Sequence, residues 1–445
     1  MQDKRFAVIG AGLVGSLMAI YLARRGYQVS VFERRPDMRS NSVDGGRSIN
    51  LALSTRGIKA LEDVGASSEI QRIAIPMHGR MMHAIEKSLT FQPYGKDGQY
   101  INSISRGSLN VLLMNIAERQ GVKFFFNNRI SHVDLIKTSV VTESGGIHST
   151  KNFDAIVGAD GAFSAIRHDM QFTDRFDFSQ QYIDHGYKEF QIPAGEKGQF
   201  VLEPNALHIW PRESFMLIAL PNPDGTFTCT LFFPFEGKLS FKTLDSDGKV
   251  KDFFNTYFPD ALTLMPDVLQ QFKTNPTSSL VTVRCYPWAR DKTLLIGDAA
   301  HAIVPFYGQG MNAGFEDCSI LNAMLDRNDD NWEATIKSFQ KERKQDTDAI
   351  AQLALENFIE MRDLVADGEF LLRKKIEAKL HSLYPEQWIP QYSMVTFHPE
   401  IRYSEAQSIG RKQKIIMDEV MQLENIETNW EDLNFEQLVR KLQAT

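Results

Sequence analysis

Apolar and polar positions divide this chain into segments of different period. Phe6-Ala7-Val8-Ile9 is an unbroken apolar run of strand length, stopped by Gly10. A run without alternation reads as a strand buried on both faces. Leu17, Ala19, Ile20, Leu22 and Ala23 follow with helical character, and Gln28-Val29-Ser30-Val31-Phe32 is a second strand ending at Glu33. Residues 55–64 predict a helix with Gly57, Ile58, Leu61 and Val64 on one side. Residues 74–89 have strand character, and Leu109 to Ala117 predict an amphipathic helix capped by Ser105 or Ser108. Val122 to Phe126 is another strand, and 130–149 read as a small hairpin or crossover. Unbroken apolar runs return at Ala155-Ile156-Val157, just after Phe153-Asp154, and at Leu294-Leu295-Ile296, just after Thr293.

Between these, residues 172–283 change to an antiparallel β pattern. Segments 215–220 and 226–233 flank a turn with an Asp224-Gly225 signal. In the second segment Phe227, Cys229 and Leu231 share one face. Thr226, Thr228, Thr230 and Phe232 share the other, which looks toward a partly polar cavity or toward solvent. From 331 onward the pattern is helical, with Trp332, Ile336 and Phe339 as an early stripe. Asn357 interrupts an apolar helix at 349–365, and amphipathic helices at 371–383 and 404–426 are separated by a loop at 385–399. A buried amide at Asn357 needs a partner.

The first strand, helix and second strand carry a chemical signature. Gly10-Ala11-Gly12-Leu13-Val14-Gly15 lies between strand and helix, and Glu33 ends the next strand, which is the dinucleotide fingerprint. Gly10 permits the tight turn, Gly12 lets a pyrophosphate approach the backbone, and Gly15 lets helix and strand pack closely. Phosphates would sit on the helix N-terminus. Glu33 would accept from a ribose 2′-hydroxyl, disfavouring a 2′-phosphate at this site. Two further strands end in Gly158-Ala159-Asp160-Gly161 and Gly297-Asp298-Ala299-Ala300-His301, followed by the glycine-rich turn at Gly308 and Gly310. Each Asp could simply cap a helix, yet both also stand where open α/β sheets bind ligands. Arg47, in the loop after Gly45-Gly46, is a candidate for the ligand's phosphates.

Composition narrows the possibilities. The chain has 445 residues, enough for two or more lobes, with 49 basic and 56 acidic residues and a net charge of −7. No basic run of useful length points to nucleic acid or an anionic membrane. Three cysteines without CxxC spacing and ten scattered histidines argue against a disulfide framework or a metal site. The longest apolar runs are too short to span a bilayer. A soluble cytoplasmic protein is expected.

Together the opening fingerprint, Gly158-Ala159-Asp160-Gly161 and Gly297-Asp298-Ala299-Ala300-His301 resemble the three FAD motifs of the single-component aromatic hydroxylases, over nearly the whole chain. The strings Gly46-Arg47-Ser48-Ile49-Asn50-Leu51-Ala52-Leu53-Ser54, Leu207-His208-Ile209-Trp210-Pro211-Arg212 and 304–318 resemble the branch of that family acting on L-kynurenine. The resemblance implies an α/β fold. A Rossmann-like FAD-binding domain would be built from 1–72, 102–170 and 284–330. A substrate domain would comprise a strand and loop at 73–101 and an antiparallel sheet at 171–283, with a helical region at 331–445 covering the pocket.

It also implies site residues. Arg80 and Tyr94 match the positions that hold the substrate's carboxylate, and Asn357 and Tyr403 match two further polar contacts. Ile218, Leu220, Phe232, Pro305 and Phe306 would form the pocket wall. FAD contacts would fall on Val14, Glu33, Arg34, Leu53, Arg106, Ile130, Asp298, Met311 and Asn312, beside Gly10, Gly12, Gly15, Arg47, Asp160 and Gly310. No metal is expected.

The activity implied is 3-hydroxylation of L-kynurenine in tryptophan degradation. NADPH would reduce FAD, and O2 would form a flavin C4a-hydroperoxide that gives one oxygen to the ring. The ring is activated by its own amine, so no strong base is needed, but a dry slot is. With a single GxGxxG, NADPH would visit transiently, with Asp160 and Arg106 merely nearby. Two features depart from the pattern. Phe306 is followed by Tyr307 where a second Phe is common, and residues 424–445 are polar where eukaryotic members carry a membrane anchor. Rival readings are a hydroxylase of another aromatic acid, a non-catalytic flavin-bound regulator and an NAD-dependent dehydrogenase.

Overall fold

The unbroken apolar runs find one another. In the computed structural model, which describes residues 4–40, 50–86, 88–95, 98–360 and 368–444, strand Arg5–Ile9 lies between Gln28–Phe32 and Ala155–Gly158, parallel to both. Thr293–Leu295 and Lys123–Phe125 extend this sheet in parallel, and Ala289–Arg290 adds an antiparallel edge. Register sets where the loops emerge. Ile9 stands opposite Phe32 and Gly158, and Gly158 opposite Leu295. The Gly10 turn, Glu33, Asp160 and Asp298 therefore leave the sheet together along one C-terminal edge, where ligands of such sheets bind. Helix Leu13–Arg24 packs its apolar positions onto the sheet, with Leu17 to Ile20 fully buried.

The second sheet has seven strands in the order Ser278–Tyr286, Asp177–Ile192, Phe227–Pro234, Phe215–Pro221, Ala206–Arg212, Gly79–His83 and Leu89–Pro93. Side chains alternate across a sheet with period two, so directly paired residues share a face. Tyr187 pairs with Phe232, Phe232 with Met216, Thr230 with Ile218, and Leu207 with Arg80. That face, including Thr230 and Phe232, looks into a cavity rather than into solvent. The opposite face, with Trp210, Leu217, Cys229 and Leu231, packs a separate apolar core.

Part of that core comes from helices the antiparallel reading of 172–283 does not contain: Asp247–Tyr257, Pro259–Leu264 and Val268–Thr274. Their signals are present in Ser246, whose hydroxyl accepts from the N–H of Lys249, in the i, i+3, i+4 triplet Val250, Phe253, Phe254, and in Pro259 at a helix start. The 130–149 segment is a three-stranded antiparallel sheet, Arg129–Asp134, Ser139–Ser144 and Ile147–Asn152.

Beyond residue 331 one helix, Trp332–Ile359, runs for 28 residues from its Asn331 cap and carries both the early stripe and the start of the helix expected at 349–365, whose residues 361–365 lie outside the described ones. The 385–399 segment contains helix Gln391–Phe397, and the polar stretch after 424 contains helix Phe435–Ala444, anchored by buried Phe435 and Val439. Among the described residues no helix is long and apolar enough to cross a membrane, and no group of His, Cys, Asp or Glu is placed to hold a metal. Cys229, Cys285 and Cys318 are buried free thiols.

Candidate active site

A cavity of about 670 Å³ runs from the C-terminal edge of the first sheet to the inner face of the second. At the first end, Gly10 has φ +102°, and a Cβ there would lie 2.5 Å from the carbonyl oxygen of Ala159. Gly15 backs onto the carbonyl of Gly10 so closely that any side chain would collide with it. Gly12 differs: an added Cβ would meet nothing within 4 Å, because the residue borders the open cavity. Helix Leu13–Arg24 begins there without a side-chain cap. The helix opens beside the space left by Gly12, and the unpaired N–H groups of a helix's first turn suit a pyrophosphate there.

Glu33 is 7% exposed and already employed. Oε2 accepts from the N–H of Ala11 at 3.0 Å, and Oε1 accepts from the backbone and side chain of Arg35, each at 3.0 Å. Burial pushes its carboxyl up, but these hydrogen bonds outweigh burial and hold it below the usual range. Oε1 is thereby filled, but Oε2 has a second lone pair, so acceptor capacity remains there for a ribose. Asp160 uses Oδ2 as a helix cap, accepting from the N–H of Ala165 at 2.7 Å, while Oδ1 is buried without a partner. Burial raises that carboxyl above its ordinary value. Asp298 and Arg106 are exposed within the cavity, and Arg34, Ile130, Gly310 and Met311 also border it.

Three expected cofactor contacts lie behind the wall instead. Gly15 packs helix against strand, and Leu53 is fully buried. Asn312, also fully buried, accepts from the N–H of Ser54 at 2.9 Å and donates to the carbonyls of Ala52 at 2.9 Å and Gly308 at 2.8 Å. It pins strand Asn50–Leu53 to the turn at 308, both of which border the cavity. Gly57 leaves the space that the Asn312 amide fills. Arg47 lies outside the described residues.

At the far end the wall is apolar, formed by Ile218, Leu220, Phe232, Pro305 and Phe306, with Leu207 and Met216 beside them. Arg80 reaches this end from strand Gly79–His83. Its guanidinium carbon is 4.7 Å from the ring centre of Tyr392 and 5.5 Å from that of Tyr94. The Tyr94 and Tyr392 rings stack at 5.9 Å, and Tyr307 stacks on Tyr392 at 5.5 Å. Burial raises the Tyr94 phenol, which stays neutral. Arg80 makes no ion pair among the described residues, and its Nε is buried without a hydrogen-bond partner. A cation caged by rings and left without an anion is an arrangement that a bound carboxylate completes.

Two expected polar contacts do not border the cavity. Asn357 donates to the carbonyl of Phe306 at 2.7 Å and so holds the wall from behind. Tyr403 is fully buried, with its ring on Arg56 and its hydroxyl donating to Gln309 Oε1 at 2.9 Å. It opens helix Tyr403–Met421, whose first residue faces helix Thr55–Asp63 rather than the cavity. Tyr392, rather than Tyr403, borders the cavity beside Arg80. Its local cue is slight: a short uncharged run after Pro390, inside what reads as a loop. Asp317 is a second residue that pattern does not reveal. It is fully buried, accepts from the N–H of Gly297 at 2.9 Å, lies 2.6 Å from His301 Nε2 and accepts from Arg343 Nε at 2.7 Å. These contacts fix the turn that presents Asp298.

Comparison with known proteins agrees with this geometry. Residues 4–354 match the family described as FAD binding domain. The chain is 48% identical over 444 residues to the kynurenine 3-monooxygenase of Christiangramia forsetii, covering 99% of both chains. It is 49% identical over 446 residues to that of Flavobacterium psychrophilum, again covering 99% of both. The chain belongs to the kynurenine 3-monooxygenase family.

The likeness extends to the Dictyostelium discoideum member, 45% identical over 459 residues and covering 99% of this chain and 98% of that one. Membership makes this an FAD-dependent monooxygenase, and the glycine cradle fits that cofactor. Among solved structures, 2-methyl-3-hydroxypyridine-5-carboxylic acid oxygenase superposes with a TM-score of 0.67 at 20% identity, covering 82% of this chain and 94% of that one. PqsL of Pseudomonas aeruginosa does so with 0.65 at 19%, covering 81% and 97%. At such identities the match shows the fold: a Rossmann-like sheet, a second antiparallel sheet and added helices.

Proposed function

We propose that this protein hydroxylates L-kynurenine at the 3-position, using NADPH and O2. The observation that carries the reading is the Arg80 guanidinium, without an anion among the described residues and held between Tyr94 and Tyr392 at the end of the cavity away from the glycine cradle. An aromatic amino acid bridging the cavity would place its carboxylate on Arg80 and its ring against Ile218, Leu220, Phe232, Pro305 and Phe306. Guanidinium suits this task because it is charged at all working pH values and can engage both carboxylate oxygens.

Bound FAD supplies the redox chemistry that carries electrons from NADPH to O2 and one oxygen atom to the ring. Gly10, Gly12 and the N-terminus of helix Leu13–Arg24 would take its pyrophosphate, and Glu33 its ribose. Val14, Arg34, Arg106, Ile130, Asp160, Asp298, Gly310 and Met311 would complete its surroundings. Gly15, Leu53 and Asn312 act one layer back, by holding strand, helix and turn in place. Asn357 and Tyr403 likewise position Phe306 and Gln309, and Tyr392 takes the direct role expected of Tyr403. Apolar side chains keep water from the ring, where it would divert oxygen into peroxide. The ring's own amine supplies the electron density, so the apolar wall needs no carboxylate or imidazole base. A cytoplasmic location, where NADPH is at hand, belongs to the same proposal.

The test is aerobic incubation of the purified yellow protein with L-kynurenine and NADPH, followed by mass analysis. The expected product is kynurenine plus one oxygen atom. NADPH consumption with no such product, or consumption indifferent to L-kynurenine, would overturn the reading.

A further inference from the structure

Arg56 is a buried cation that takes no part in the cavity wall. It stands in the first turn of helix Thr55–Asp63, where positive charge opposes the helix dipole, and it is 2% exposed. Desolvating a guanidinium is unfavourable unless every donor is matched. Its acceptors come from distant segments. Nε donates to the carbonyl of Val395 at 2.8 Å, Nη2 to that of His398 at 3.1 Å and to that of Ile401, and Nη1 to Glu316 Oε1 at 2.6 Å. Val395 lies in the last turn of helix Gln391–Phe397, whose carbonyls have no partner further along the helix. The Tyr403 ring lies on the guanidinium at 4.1 Å and passes the constraint to Gln309 through its hydroxyl.

Both dependants border the cavity. Tyr392, three residues before Val395 on the same short helix, covers Arg80, and Gln309 borders the cavity near the turn at 308. The helix that carries Arg56 comes directly after strand Asn50–Leu53, which also borders the cavity. One side chain thus joins a cofactor-side strand to Tyr392 on the substrate side and, through Tyr403, to Gln309 in the turn at 308.

We propose that Arg56 is a positioning residue: by fastening helix Gln391–Phe397 and Tyr403 to helix Thr55–Asp63, it sets the distance between the two ends of the cavity and so couples NADPH oxidation to hydroxylation. The proposal rests on the function proposed above. Displacing a reacting ring by about 1 Å is enough to divert a reaction about a hundredfold, and the carbonyl contacts leave Tyr392 little such freedom.

The test compares Arg56→Lys and Tyr403→Phe with wild type, all loaded with FAD. Lysine keeps the charge but cannot match the fork of acceptors. Arg56→Lys is expected to retain FAD, to raise KM for L-kynurenine about tenfold, and to raise the share of NADPH electrons recovered as hydrogen peroxide about threefold or more. NADPH oxidation at saturating substrate should change less than about twofold, a split that general loosening of the fold would not produce. Tyr403→Phe, which deletes only the link to Gln309, should raise the peroxide share with KM unchanged. Without substrate, amide hydrogen exchange across 391–401 should quicken in Arg56→Lys alone.

Wild-type KM and peroxide share in a folded, flavin-loaded Arg56→Lys, or unaltered exchange, would overturn the proposal. Should Arg56→Lys fail to fold, Tyr403→Phe decides: a raised peroxide share supports the proposal and a wild-type share overturns it. If wild type itself does not turn over L-kynurenine, the proposed function falls, while the exchange measurement still decides whether Arg56 holds the segment.

Discussion

Replacing Arg80 by methionine separates function from folding with opposite signs. This guanidinium has no anionic partner among the described residues, and its Nε is a buried donor without an acceptor. Removing such a donor relieves about 1–3 kcal/mol of unmet desolvation. The loss of its contact with the Tyr392 ring, 4.7 Å away, costs about 1 kcal/mol. Methionine keeps an unbranched stem against the two tyrosines. Arg80→Met should therefore leave the melting temperature unchanged or raise it.

Catalysis should move the other way. A charge-assisted, bidentate contact to the substrate carboxylate is worth about 2–4 kcal/mol. At about 1.4 kcal/mol per factor of ten, kcat/KM should fall about 30- to 1000-fold. The assay tracks NADPH oxidation, hydroxylated product and hydrogen peroxide, with L-kynurenine and with its decarboxylated amine. Wild type should prefer the acid strongly, and Arg80→Met should treat the two alike while releasing more peroxide. A variant within about threefold of wild-type kcat/KM, or one that loses activity only because it melts early, would refute the reasoning.

The same geometry sets other outcomes. Gly12→Leu, whose side chain would enter the cavity, should give a folded protein without visible flavin absorbance, whereas Gly10→Ala, with its Cβ 2.5 Å from Ala159 O at φ +102°, should also lower the melting temperature. Asn312→Ala leaves the N–H of Ser54 and the carbonyls of Ala52 and Gly308 unpaired, so chemical denaturation should show a loss of about 3 kcal/mol or more. Asp260 provides a pH signature. Burial raises its carboxyl, but hydrogen bonds from His83 and Trp210 overcome burial and lower it to about 2. Its contribution of about 2 kcal/mol is complete above pH about 4, where the unfolded carboxylate is also ionised, and is lost as pH falls toward 2. Asp260→Asn should flatten that part of the stability–pH curve, and an unchanged curve would remove Asp260 from the account.

Local chemistry is what the chain itself made legible. The Gly10–Gly15 turn, the unbroken apolar strands and Glu33 are a short-range code, since backbone freedom and side-chain period act over a few residues. That code was sufficient to expect a dinucleotide site and a parallel sheet, and FAD followed from the resemblance that the later Asp motifs completed. It was also sufficient to place Thr230 and Phe232 on one face, though not to say what that face sees. The helices between 247 and 274 were legible too, in the Ser246 cap and the Val250–Phe254 triplet, but the surrounding strands masked them.

Tertiary structure decided which distant residues meet. Tyr392 and Tyr403 lie eleven positions apart in one polar, turn-rich region, and nothing local distinguishes them. Packing does: Arg56 draws Tyr403 inward, and the end of helix Gln391–Phe397 turns Tyr392 over Arg80. Asn312, Asn357 and Asp317 are likewise polar residues, each with a partner far along the chain, 258, 51 and 20 positions away respectively. Buried polar groups must find hydrogen bonds wherever the fold brings acceptors and donors together, and those meetings arise from long-range packing rather than from the period of any single segment.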